Sequence, residues 1–388
     1  MDEYLQLVSN VFATSTSPSS EAFAQLVLLS AQTHTALQCS LKESHSQQRD
    51  ASALTKSIQN ASINRIDGPI AQKLGAVLSA LLDYVAHCPP IQDLINPADK
   101  TQIQWKQRYA QFVWQDAQNR WGILFNCASS LFGLSTSSPV YFFSSFRYIS
   151  SSFLTLCIRL DVLSGQAIKF PKVTDCTARL AGPVRASGMD RTPLDGSKTR
   201  RGAAMWLGND CLRGYFRLNN LKLCETVLKS IREAINRNRD FASNAETATG
   251  EEPYPMAERV KYRYYVGRIR ISQGRVREGF SHLQWAFEHC PVSATAQLRR
   301  ILSHLLPLAL VLGMRPRSHL VEILCPPESD IGQLYLPLFR AYAKPDIALF
   351  EQLMDERPRK ERLRKLGVHL LIQEKCIAPM WRGIIKRW

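Results

Sequence analysis

The chain has 388 residues, 45% of them hydrophobic, with 49 Lys+Arg against 33 Asp+Glu for a formal net charge of +16. That length and apolar content suffice for two or three domains or one extended helical array, and exclude an intrinsically disordered chain. Met1-Asp2-Glu3 opens without a basic region before an apolar one, which argues against a secretory signal. The longest apolar run, Ile301 to Met314, contains Ser303, His304 and Pro307 and is too short to span a bilayer.

The charge is unevenly placed. Residues 1–100 carry a net −3, residues 101–257 a net +8 and residues 258–388 a net +11. A field of that sign favours a polyanionic partner, either nucleic acid or an acidic protein. The ten cysteines (39, 88, 127, 157, 176, 211, 224, 290, 325 and 376) include no C-x-x-C pair, and no two histidines stand as H-x-H or H-x-x-x-H. This predicts buried reduced thiols and no metal centre, and no cofactor is expected.

In chain order, Tyr4 to Ala13 and Glu21 to Gln38 read as short amphipathic helices, separated by TSTSPSS. Ser40 to Asp67 is polar and poor in large apolar side chains and reads as a loop or weak helix. Ile70 to Cys88 has leucines and alanines at helical spacing and stops before Pro89-Pro90, which cannot continue a helix. Thr101 to Leu134 and Val140 to Leu163 follow as long apolar segments, with strand as the alternative for YFFSSFRYISSSF. The Gly-, Pro- and Arg-rich stretch from Thr174 to Gly202 has little periodicity and reads as an exposed connection. Its GSKT, Gly196 to Thr199, fails the phosphate-loop pattern, because a serine separates glycine from lysine and the preceding glycine, Gly188, is too distant.

Ala203 to Asn236 resumes as paired helices with Leu221, Leu223, Val227 and Ile231 on a buried face, and a polar gap runs from Asn238 to Pro255. From Ala257 to Gly313 the chain reads as a helical hairpin packed on a third helix. Gly267, Gly274, Gly279, Leu283, Ala286 and Pro291 fall at offsets close to those of a tetratricopeptide unit, where small residues let antiparallel helices approach. Arg263 and Arg270 stand where that repeat prefers aromatics. Val276, Phe280, Leu283 and Phe287 share one face of the second helix. Tyr262, Tyr264 and Tyr265 are expected to pack within the hairpin rather than stack on bases. Ile301 to Leu312 (kinked at Pro307), Ile331 to Tyr342, Asp346 to Met354 and Glu361 to Cys376 complete the helices. In the last, Leu363, Leu366, Gly367 and Leu370 are placed on one face, and Ile384 and Ile385 are expected inward in the terminal PMWRGIIKRW.

GYFRLNNLKLCETV, KYRYYVGRIRISQGRVREGFSHLQWAFEHCP, RRILSHLLPLALVLGMRP and the FEQLMD to LLIQEK segment, in this order over Arg201 to Trp388, resemble the PCI-domain family. They are most similar to its branch containing signalosome subunit twelve and the PCI subunit of the nuclear TREX-type mRNA-export complex. The resemblance implies an all-α fold, a tetratricopeptide-like helical array leading into a winged helix. The winged helix is expected to be truncated, its first helix being placed near Trp388. The domain expectation is an N-terminal helical region over 1–175, an exposed linker over 176–202, and a PCI domain over 203–388 with its winged-helix part starting at 356.

The resemblance further implies no catalysis and a nuclear, possibly also cytoplasmic, scaffold coupling transcription to mRNA export, or alternatively an accessory subunit of the signalosome. Implied partners are a large export scaffold with a PCI-like region, a small acidic disordered subunit, RNA or DNA, and in the alternative other signalosome subunits; no membrane is expected. The residues for nucleic-acid or acidic-partner binding are Arg359, Lys360, Arg362, Arg364, Lys365, Arg382, Lys386 and Arg387, since phosphate contact needs clustered positive charge on an accessible face.

Overall fold

In a computed structural model the described residues are 2–13, 20–43, 56, 68–95, 110–134, 140–166, 169–193, 195–242, 249–314, 323–324, 326 and 328–385. Every element among them is helical, and the chain divides into two compact units, Met1–Tyr254 and Pro255–Trp388.

The first unit begins with α1 (Asp2–Ala13), α2 (Ser20–Val27) and α3 (Ala31–Glu43); the stretch expected as one helix from Glu21 is thus two, broken around Leu28 to Ser30. α4 (Gly68–His87) ends where expected, and α5 (Ile91–Ile95) follows its Pro pair. The expected loop over Ser40 to Asp67 lies mostly outside the described residues, as does 101–109. α6 (Gln111–Phe132) packs on α4 and on α7 (Phe143–Leu163). The segment with a strand alternative is helical because its aromatics fall at helical spacing. Phe146 and Phe153 stack on Phe125 of α6 at 5.9 and 5.3 Å, and the Trp121 indole donates to the Ile149 carbonyl at 3.0 Å.

The expected linker over 176–202 is not one. α8 (Pro171–Met189) runs through most of it, burying Cys176, Thr177, Leu180, Val184 and Ser187 against α9 (Ala204–Arg217) and α10 (Leu221–Asp240). Asp161 accepts hydrogen bonds from the Lys172 and Val173 amides at 3.2 and 2.9 Å, capping this helix from its neighbour. What looked aperiodic beyond Met189 is a buried polar knot. Arg201, with no solvent exposure, donates to Asn238 Oδ1 at 2.8 Å and to the Asp190 and Thr192 carbonyls at 3.2 and 2.7 Å. Asn238 in turn donates to the Gly250 carbonyl and the Tyr254 hydroxyl, and that hydroxyl donates back to the Arg201 carbonyl at 2.9 Å. The Arg201 guanidinium also lies 5.1 Å from the Phe241 ring. Gly196 of the GSKT turn packs so closely on Asn238 that an added Cβ would meet Oδ1 at 2.4 Å. Gly196 and Thr199 of that turn are buried, while Lys198 is exposed. The supposed gap from Asn238 to Pro255 therefore supplies Asn238, Gly250 and Tyr254 to the core, while 243–248 lie outside the described residues.

The second unit begins with the expected hairpin, α11 (Met256–Ser272) and α12 (Val276–Glu288), packed on α13 (Thr295–Val311). The small residues do what their spacing predicts: a Cβ on Gly267 would meet Leu283 Cγ at 2.6 Å and the Gly279 carbonyl oxygen at 3.2 Å. Tyr262 and Tyr264 are buried. α14 (Asp330–Ala343), α15 (Ile347–Asp355), α16 (Arg357–Leu366) and α17 (His369–Ile385) close one core through Leu338, Phe350, Leu363, Ile372, Cys376 and Met380. The expected single helix from Glu361 to Cys376 is two. Gly367 at φ +73° ends α16, its amide bonding the Arg364 carbonyl while the Val368 amide bonds the Leu363 carbonyl. The break turns Leu370 and Gly367 away from Leu363, so Leu370 is exposed, and Ile385, expected inward, is exposed as well.

Candidate partner and nucleic-acid interface

α16 is a basic helix seated on the core of the second unit by the buried Leu363, with the half-buried Leu366 beside it. Its cations separate into three kinds. Arg359 has a side chain only 10% exposed: it donates to the Leu353 carbonyl at 3.1 Å and the Gln333 carbonyl at 3.2 Å, and pairs with Glu356. It ties α14, α15 and α16 together and is not an open phosphate contact, so its place in the expected set is corrected. Burying one end of a long apolar stem is what brings the guanidinium to those carbonyls.

Lys360 and Arg362 are accessible but engaged, Lys360 with Asp355 at 2.8 Å and Arg362 with Asp330 at 2.6 Å. The Lys360 ammonium holds the Asp355 carboxyl below the usual carboxylate range. Both carboxylates are exposed and solvent screens such pairs, so either cation can exchange its carboxylate for another anion. Arg364, Lys365 and, on α17, Arg382 are exposed and carry no ion pair among the described residues. Lys386 and Arg387 lie outside the described residues. The structure thus brings Arg364 and Lys365 together at the end of α16 and sets Arg382 apart on the next helix.

A second cationic cluster escaped the sequence reading. On α11, Arg259 and Arg263 stand four residues apart, and both guanidinium groups lie over the Trp285 indole of α12, at 5.4 and 5.1 Å. His289 also stacks on that ring at 4.0 Å, and Arg263 contacts His282 at 3.3 Å. Arginines at i and i+4 with a Trp on the facing helix are a signal present in the sequence. It becomes decisive only once the hairpin register is known.

No group of acidic, His and Cys side chains able to hold a metal occurs among the described residues, and the described cysteines are all free thiols. Burial pushes the Cys88 and Cys376 thiols up to about 12, the inert form of cysteine. A cleft of about 580 Å³ between α1, α2 and α3 is lined, among the described residues, by Tyr4, Leu7, Leu28, Leu37 and neutral polar side chains. No helix among the described residues is long and apolar enough to cross a membrane.

No protein-family model matches the chain. Similarity to known proteins is nonetheless extended. A PCI domain-containing protein of Schizosaccharomyces pombe is 24% identical over 286 residues, 71% of this chain and 59% of the relative. Enhanced ethylene response protein 5 of Arabidopsis thaliana is 23% identical over 352 residues, 84% of this chain and 77% of the relative. PCI domain-containing protein 2 of Xenopus laevis is 30% identical over 189 residues, 49% of this chain and 42% of the relative. The chain is similar to PCI domain-containing proteins, and its described elements form the helical array that this resemblance implies. The chain spans about six-tenths of the length of the Schizosaccharomyces relative and less than half of the Xenopus one.

Proposed function

We propose that the protein is a non-enzymatic scaffold subunit of a nuclear complex that couples transcription to mRNA export, contributing to RNA or DNA binding together with partner subunits. The observation that carries this reading is the similarity to PCI domain-containing protein 2 across species, 30% identical in Xenopus laevis and 26% in Drosophila melanogaster. The basic end of α16 supports it: Arg364 and Lys365 are exposed, and Lys360 and Arg362 are held only by exposed carboxylates. Polyanion contact by such a cluster releases counterions and needs no pocket. In this reading the partners are a large scaffold with its own PCI-like region and a small acidic subunit. Either an acidic chain or nucleic acid neutralises the same positive field.

A second reading has an observation of its own. Protein CSN12 homolog of Mycosarcoma maydis is 25% identical over 218 residues, 55% of this chain and 44% of the relative. It favours an accessory subunit of the signalosome, in which the same helical array organises an assembly whose chemistry lies in other chains.

The two readings differ in companions. Tagged protein is isolated from nuclear extract with and without nuclease, and its stoichiometric companions are identified by mass spectrometry. A large PCI-like export scaffold and a small acidic subunit, retained after nuclease, are the expected result. Signalosome subunits in their place would replace the first reading with the second.

A further inference from the structure

Two facing stripes of the α11–α12 hairpin run as a ladder. At 100° per residue, Arg259, Arg263 and Arg270 fall within an arc of about 40° on α11. Glu278, His282 and Trp285, with His289 at the helix end, fall within about 60° on α12. The rungs change character along the hairpin. At the turn, Arg270 meets Glu278 at 3.5 Å, and Arg275 pairs with the same carboxylate. Toward the open end, Arg263 contacts His282, and the Arg259 and Arg263 guanidinium groups both lie over the Trp285 indole, on which the exposed His289 stacks.

Like charges four residues apart on a helix repel each other. The negative face of the indole offsets that repulsion and so gathers two positive charges on one ring. Both arginines are half-buried, where salt screens their charge less than on an open surface. A guanidinium carries five donors in a rigid fork, so it can lie on a ring and grip an oxyanion at once.

The form of the cluster selects the anion. A carboxylate has one charge and two oxygens, which a single Arg fork satisfies. The phosphate of a phosphorylated side chain brings close to two charges and three acceptor oxygens, which two guanidinium groups and the neighbouring His282 imidazole can share. A nucleic-acid strand has one charge per link and follows a run of cations. Here the run is short, because the next arginine along the stripe, Arg270, faces Glu278. The stacked His289 and the two guanidinium groups also leave the Trp285 indole little face for a base.

We propose that Arg259 and Arg263, braced on Trp285 and flanked by His282, form a binding site for the phosphate of a phosphorylated serine or threonine on a partner protein. The site rests on the scaffold reading only in that the phosphate belongs to a companion chain, and its test needs no companion, so the two fail separately.

The full chain, with its seven tryptophans, is labelled with fluorotryptophan, and the fluorine NMR signal missing from Trp285→Phe assigns Trp285. Blocked Gly-phosphoserine-Gly and Gly-phosphothreonine-Gly peptides are titrated at constant ionic strength. Gly-Ser-Gly, Gly-Glu-Gly, inorganic phosphate and a single-stranded RNA oligonucleotide are titrated beside them. The expected result is a saturable shift of the Trp285 signal with a phosphopeptide and about tenfold weaker binding in Arg263→Gln. Arg263→Lys, which keeps the charge and loses the fork, should lie between. An unchanged circular dichroism spectrum checks that these variants fold, and the titration of the unsubstituted chain stands whatever they do. No shift, or an equal response to the Glu peptide, would overturn the proposal. So would a Trp285 shift at lower concentrations of RNA or inorganic phosphate than of phosphopeptide, or an affinity indifferent to Arg263→Gln. None of those results touches the scaffold reading, which recovery of companions decides.

Discussion

The Arg201 knot of the first unit and the α11–α12 crossing of the second solve the same problem, bringing chain segments into close contact, by opposite means. At the crossing, Gly267 and Gly279 lie against each other's backbone and the contact is made by absence of side chains. In the knot, one guanidinium satisfies two carbonyls and an amide oxygen, with Asn238 and Tyr254 closing the circuit. Apolar contact depends on shape and tolerates small adjustment. A buried polar circuit depends on every member being present, because each orphaned group costs its full desolvation.

The sharpest break in that comparison is Arg201→Leu. It strands Asn238 Oδ1 in the interior and removes the donor to the Thr192 carbonyl, while the Asp190 carbonyl keeps Arg237 at 3.4 Å, and it is expected to destabilise the chain by on the order of 3 kcal/mol, read as a lowered midpoint in urea. Burial already lowers the pKa of this guanidinium, against the opposing pull of Asp190 and Tyr254, so the charge is present at a cost that its partners offset.

Acid probes the second unit instead. Burial, and then the neighbouring Arg268, lower the His304 pKa to about 3 from a usual value near 6.5. Its folded form is therefore neutral while the unfolded chain takes up a proton below about pH 6.5. The resulting stability is fully present above that pH and falls away as pH drops toward 3, by on the order of 2 kcal/mol near pH 4.5. His304→Phe is expected to flatten this slope in a pH series of thermal unfolding. An unchanged slope would show that the buried imidazole is not the titrating group.

Gly267→Ala forces Leu283 and the facing backbone apart and is expected to cost about 1–3 kcal/mol. Gly279→Ala meets its nearest neighbour, the Gly267 carbonyl oxygen, at 3.2 Å, and gains helix propensity of about 1 kcal/mol, so it should lie much nearer neutral. Equal losses at the two sites would contradict the geometry. Tyr254→Phe removes one hydroxyl from the knot and should cost about 1 kcal/mol in the same assay.

The smallest expected effect on stability separates surface from clamp on α16. Arg364→Gln with Lys365→Gln should leave the melting temperature unchanged while lowering the salt slope of single-stranded RNA binding by about 0.7 for each phosphate no longer neutralised. Arg359→Gln should do the reverse.

How much of this was legible in the sequence follows the same physical divide. The hairpin, its close approach at Gly267 and the burial of Tyr262 and Tyr264 could be read because apolar spacing and small residues repeat along one chain segment. The helix over Pro171–Met189 was hidden by internal Gly and Pro, which are poor local signals for a segment held by tertiary packing. The Arg201 knot joins residues 9 to 53 positions apart through side-chain hydrogen bonds, which leave no periodic trace. For the basic site, composition marked the run RPRKERLRK as charged, though the helix was expected from Glu361 to Cys376 and not over Arg357–Leu366. It could not separate Arg359, turned inward onto carbonyls of two other helices, from Arg364 and Lys365 a turn later. The Arg259–Trp285–Arg263 stack was missed because its two halves lie on different helices.

The most direct test of the scaffold assignment is the assembly state of the tagged full-length protein after nuclease treatment, measured by native mass spectrometry on material taken from cells. The account predicts a defined complex in which this chain is present in fixed stoichiometry with other protein subunits. A lone monomer, with no stoichiometric companion before or after nuclease, would contradict it.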